Sequence, residues 1–181
     1  MRLSNKRQET RDKKKSFTLL EILVYIAVFS IIMIVLSSFI IWTIHSNIKT
    51  QVMRETLDNI RGAMGIMIYE IKTARSIYTP LTTSSQLSLE TLHYLPEGES
   101  STYIDFFLCG TQICLKKESQ NPIPLTSDKV EIKNLGFTQV ATATSIPSIQ
   151  INLKLAYKNP HDRPEYRASI NVTSTASLRS Y

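Results

Sequence analysis

Between Glu21 and Lys49 the chain contains no Asp, Glu, Lys or Arg. An uncharged run of that length reads as a membrane span rather than as one face of a soluble helix. Proline is missing from Phe17 through Thr79, so the commonest helix breaker is absent there. Cysteine occurs only at positions 109 and 114, with no second ligand pair at a spacing that would make a zinc site. The three histidines, His45, His93 and His161, fall on separate elements and read as surface or internally satisfied groups. Asp105, Glu131 and Asp162 make no readable acid pair, and no nucleophile–base set or phosphate loop is present. No catalytic residue, metal ligand or cofactor is therefore expected, and nothing argues for an enzyme.

Positive charge is scarce outside the N-terminus. The whole chain is +6, yet residues 1–16 hold seven basic residues against two acidic ones, leaving +1 for the remaining 165. Nucleic acid is an unpromising partner, because phosphate contacts need a basic surplus that this body lacks. A basic leader beside an apolar span stays on the cytoplasmic side. That orientation makes the chain a single-pass protein of the cytoplasmic membrane with an extracytoplasmic head.

Ile22 to Ile44 supplies 23 residues interrupted only by Ser30, Ser37, Ser38 and Thr43. At ~1.5 Å per residue this crosses roughly 30 Å of hydrocarbon. Tyr25 and Trp42 lie near its two ends, where interfacial aromatics gather. The run is too long for a cleavable secretory signal. Ser30, Ser37 and Ser38 are expected to bond back to helix carbonyls or to lie between packed helices. Glu21 opens this run, and an ionisable group in such a place marks a functional pairing.

Helical spacing continues beyond Ile44. Ile48, Val52, Leu57, Ile60, Met64, Met67, Ile68 and Ile71 recur every three or four residues, with charged residues mostly elsewhere. One helix is expected from about Phe17 to about Ser76, closed off by Pro80. From Gln86 the pattern changes to short alternating runs separated by turns. Tyr103–Leu108 and Ile113–Lys116 flank Cys109–Gly110–Thr111–Gln112 and read as a hairpin. A disulfide between Cys109 and Cys114 suits an extracytoplasmic head, with two buried thiols as the alternative. Ile149–Tyr157 reads as a strand whose partner is Tyr166–Val172. The tail 174–181 is polar and is expected to be loose. The fold class is α+β: a long N-terminal helix whose amphipathic half covers a small antiparallel sheet. The chain divides into a leader (1–16), an apolar half-helix (17–44), an amphipathic half-helix (45–79) and a β-rich head (80–181).

Lys13–Lys14–Lys15–Ser16–Phe17–Thr18–Leu19–Leu20–Glu21 resembles the processing site of type IV prepilins and of type II secretion pseudopilins. The features shared are basic residues, a small residue, Phe, a Thr-Leu-Leu run and a Glu five residues into the mature chain. A looser similarity, through Phe106–Leu108, Leu125–Ser127, Val130 and Leu135–Phe137, is to the minor pseudopilins of the J type. The resemblance implies cleavage between Ser16 and Phe17 by a prepilin peptidase/N-methyltransferase, and N-methylation of Phe17. It implies that Glu21 meets the new amine during filament assembly. The implied partners are other pilin or pseudopilin subunits, an inner-membrane assembly platform and membrane lipid. Secretion, adhesion, motility and DNA uptake all use such filaments, whether at the cell surface or in the periplasm. Two departures stand out: Ser16 occupies the usual glycine position, and the proline that major pilins often carry about twenty residues into the mature helix is missing, with Ser38 near that place. Both favour a minor pilin or pseudopilin. The rival reading is a monomeric, signal-anchored extracytoplasmic binding domain.

Overall fold

The computed structural model describes residues 18–79, 82–93, 95, 97–140 and 147–179. The leader, the Ser16–Phe17 junction and Pro80 lie outside these residues. The chain forms two compact units, Met1–Ile44 and His45–Tyr181. A single helix, α1 (Leu19–Thr73), crosses the boundary.

The two stretches of α1 are built differently. Its first half shows apolar side chains all round, with Leu19 83% and Trp42 67% exposed. The first buried residue is Val52, followed by Thr56, Ile60, Ala63, Met64, Met67, Glu70 and Ile71. These positions recur every three or four residues, with Ala63–Met64 and Glu70–Ile71 as adjacent pairs, so they share one face, and that face enters the core. The helix stops at Thr73, a few residues before the expected end near Ser76. The cause is strand pairing: Arg75 N–H donates to the Glu90 carbonyl at 2.8 Å, and Ser76–Ile77 then pairs with Leu89–Glu90. At the helix C-terminus, Arg179 N–H donates to the Lys72 carbonyl, satisfying one of the orphan acceptors.

The head holds two antiparallel sheets, not the single sheet expected from the sequence. The first is ordered β1 (Ser76–Ile77), β2 (Leu87–Thr91), β3 (Thr102–Cys109), β4 (Gln112–Lys117) and β5 (Ile123–Pro124). The second is β6 (Val130–Val140), β7 (Ser148–Tyr157) and β8 (Ser169–Ser177). The β3–β4 hairpin turns at Gly110, whose φ of 66° suits glycine, and Cys109 and Cys114 are joined as a disulfide. One core unites the layers: Ile60, Met67 and Ile71 of α1, Leu89, Ile104 and Phe106 of the first sheet, and Ile151, Leu153 and Leu155 of the second. Ile132 N–H donates to the Thr111 carbonyl and Phe137 N–H to the Ser84 carbonyl, lacing β6 to the edge of the first sheet and its loops.

The C-terminal tail overturns an expectation. Residues 174–177 belong to β8, which pairs with β7 from Ser148↔Ser177 to Ala156↔Ser169 without a slip. Ala176 and Leu178 are buried. Ile170, Val172, Ser174 and Ala176 alternate with more exposed neighbours, so a polar composition concealed a strand with a period of two.

Candidate membrane-span and assembly site

Thr18 stands just before α1 and caps it. Its Oγ1 accepts from the Glu21 N–H at 3.2 Å, and its carbonyl accepts from the Ile22 N–H at 3.3 Å. Thr-Leu-Leu-Glu thus has the spacing of a capping box. An acid in the first turn also suits the positive end of the helix dipole. The Glu21 side chain makes a bond one turn onward: Tyr25 Oη donates to its Oε1 at 3.1 Å. Sequence reasoning had placed Tyr25 as an interfacial aromatic and missed this contact. The i, i+4 spacing is the signal that could have found it.

Beyond Tyr25 the polar atoms of the span are satisfied within the helix. Ser30, Ser37, Ser38 and Thr43 donate to the carbonyls four residues back, at 2.8 to 3.0 Å. This is the outcome expected for the three serines, and it leaves no hydroxyl demanding an outside partner. A helix with apolar side chains on every side and its hydroxyls internally bonded can sit in lipid or among like helices.

The head begins where charge returns. His45 Nδ1 lies 3.8 Å from Glu165 Oε2, bringing the β7–β8 connection to the first turn of α1 in the head unit. Lys129 Nζ is 2.9 Å from Glu55 Oε1, and that carboxylate, by hydrogen bond and by charge, holds the Lys129 amine above its ordinary value. Asn59 Oδ1 accepts from the Ser127 N–H at 2.7 Å, pinning the loop before β6 to the helix.

The other candidate residues fall apart in space or lie out of view. Ser16 and Phe17 are outside the described residues. Cys109 and Cys114 belong to the head hairpin and Glu21 to the first turn of α1. Among the described residues, no cluster of His, Cys, Asp and Glu has the arrangement of a metal site.

The family model described as the prokaryotic N-terminal methylation motif matches residues 11–37. This supports a type IV pilin-like or pseudopilin protein with an N-terminal region of the kind processed by prepilin peptidase. The match ends within the apolar half of α1 and carries no information on the J-type similarity of the head. Among curated proteins and among solved structures, none matches the chain. The motif and the apolar helix together fit a single-pass membrane-anchored protein with a structural role.

Proposed function

We propose that this chain is a minor pilin or pseudopilin, a subunit of a type IV pilus or type II secretion-like filament. The observation that carries the reading is Glu21, an acid at the head of an otherwise uncharged span, inside a matched methylation motif. Hydrolysis of the Ser16–Phe17 peptide bond by a prepilin peptidase removes the seven cations of the leader and frees the Phe17 amine, which is then methylated. In a medium of low polarity a carboxylate without a cation is costly. The freed amine of a neighbouring subunit supplies that cation, so processing and assembly become linked. The head faces the extracytoplasmic side, and an assembly platform in the inner membrane extracts the processed subunit from lipid.

Two measurements test this. Mass spectrometry of the membrane-extracted protein, from cells with a working prepilin peptidase, should find an N-terminus at methylated Phe17. An intact Met1 leader would instead support the monomeric, signal-anchored binding domain. The substitution Glu21→Val should leave membrane insertion intact and reduce filament incorporation by at least about tenfold, the loss expected when a buried ion pair worth several kcal/mol cannot form. Wild-type incorporation of that variant would end the pairing argument.

A further inference from the structure

The β7–β8 connection is more tightly built than a loop of its composition requires. Asn159 clamps it from both sides: its Nδ2 donates to the Arg163 carbonyl at 2.8 Å, and its Oδ1 accepts from the Arg163 N–H at 2.9 Å. Asp162 sits at a positive φ of 49° and binds the Arg167 guanidinium through both carboxylate oxygens, at 3.1 and 2.8 Å. A 3₁₀ turn over Pro164–Tyr166 closes the connection, and Tyr166 stacks on Tyr157 with ring centroids 6.0 Å apart. The framework borders an open cleft of about 300 Å³ lined by Tyr157, Lys158, His161, Arg163 and Tyr166 among others.

Two acids of this region are held by cations, Asp162 by Arg167 and Glu55 by Lys129. Glu165 Oε2 lies 3.8 Å from His45 Nδ1, and Asp128 also bears on Tyr157. Lys158 and Arg163 have no ion-pair partner among the described residues. The same holds for Lys49 and Arg54, about one and two and a half turns along α1 from His45. A cleft with two cations lacking ion-pair partners among the described residues and two tyrosines suits an anion attached to an apolar body.

Its place in the chain selects which anion. Glu165 contacts His45, and His45 is the residue directly after Ile44, where the apolar span ends. Headgroups occupy the few ångströms beyond the hydrocarbon boundary, where tyrosines and basic side chains also favour the interface. We infer that the β7–β8 connection is a docking site for the phosphate of an anionic phospholipid, held by Lys158 and Arg163 with Tyr157 and Tyr166 against the glycerol region. It would hold the head against the bilayer until the subunit is extracted. The inference rests on the membrane-anchored part of the proposed function and needs neither leader removal nor partner subunits.

The test uses the full chain in nanodiscs of phosphatidylcholine, with and without phosphatidylglycerol, followed by hydrogen exchange. Exchange across 158–167 should slow in the anionic discs by about fivefold per engaged basic side chain. The variant Lys158→Ala/Arg163→Ala should abolish that slowing while leaving exchange in β7 unchanged. If the alanine pair disturbs β7, Lys158→Arg/Arg163→Lys serves instead and must retain the response. Equal exchange in both discs overturns the inference, as does a response that survives loss of both cations. Equal slowing by soluble glycerol phosphate in phosphatidylcholine discs overturns the lipid source and assigns the site to a free phosphate ester. None of these outcomes bears on methylation of Phe17 or on the Glu21→Val assembly test, so the two readings fail separately.

Discussion

At the scale of single residues, Glu21 has two jobs that its neighbours divide. Its backbone N–H completes the Thr18 cap, and its carboxylate accepts from Tyr25 Oη. The second bond gives the carboxylate a donor within its own helix before any subunit arrives. Hydrogen bonds to charged groups contribute about 1.5–3 kcal/mol. Tyr25→Phe should therefore lower filament incorporation roughly tenfold or more, yet add little to Glu21→Val, because both substitutions remove one coupled unit. Quantitative immunoblotting of sheared filaments from the single and double variants checks this, and additive losses would contradict it. The place of Glu21 was legible from the sequence because a lone acid in an apolar run is conspicuous, whereas the Tyr25 bond hid behind an ordinary interfacial reading. A second residue-scale effect concerns Lys129. Glu55 raises the Lys129 pKa on folding, so the pair stabilises below the unfolded value and that stability is lost as pH rises through the folded one. Tyr157 is raised too, first by burial and then by Glu55, and its contribution is lost in the same alkaline range. Glu55→Gln should flatten the alkaline decline of Tm relative to wild type. An unchanged slope would show that the Glu55–Lys129 pair does not set stability there.

At the scale of elements, hydrophobic spacing revealed the helix and hid part of the sheet. The buried face of α1 at Val52, Ile60, Met64, Met67 and Ile71 follows the spacing visible in the sequence, because a three-to-four repeat has one interpretation over so many turns. Its end was less legible. Nothing local stops the helix at Thr73, and the Arg75–Glu90 and Ser76–Glu90 pairings come from residues far along the chain. The split into two sheets is likewise a tertiary outcome, since each strand shows the same alternation whichever sheet it joins. β8 was obscured by its serines and threonines, whose hydroxyls suggested a loose tail, although threonine favours strands. Leu178 gives the sharpest check of that correction. It follows β8 directly, is 6% exposed and joins the main core. Leu178→Ala should destabilise the head by about 2–4 kcal/mol, the range for a buried leucine truncation. Chemical denaturation of wild type and variant measures the difference, and a change within experimental error would restore the loose-tail reading.

At the scale of the molecule, stability and anchoring are assigned to different stretches of one helix. Every large apolar side chain from Leu19 to Ile44 that the structure describes is exposed, and the first buried position of α1 is Val52. The core is therefore made by residues of the head unit alone: α1 after His45, both sheets and Leu178. The division has a physical basis. Lipid rewards an apolar surface on all sides, while a sheet in water rewards only the face it covers. For the proposed filament subunit this matters, because extracting the span would break no contact within the core. A chain beginning at His45 should accordingly fold on its own, unfold cooperatively, and match the full chain in detergent to within about 1 kcal/mol, the scale of a frayed helix end. Circular dichroism and calorimetry of the two proteins decide it. If the shortened chain keeps its far-ultraviolet signal but loses cooperative melting, the span takes part in holding the head together, and extraction would have to dismantle part of the fold.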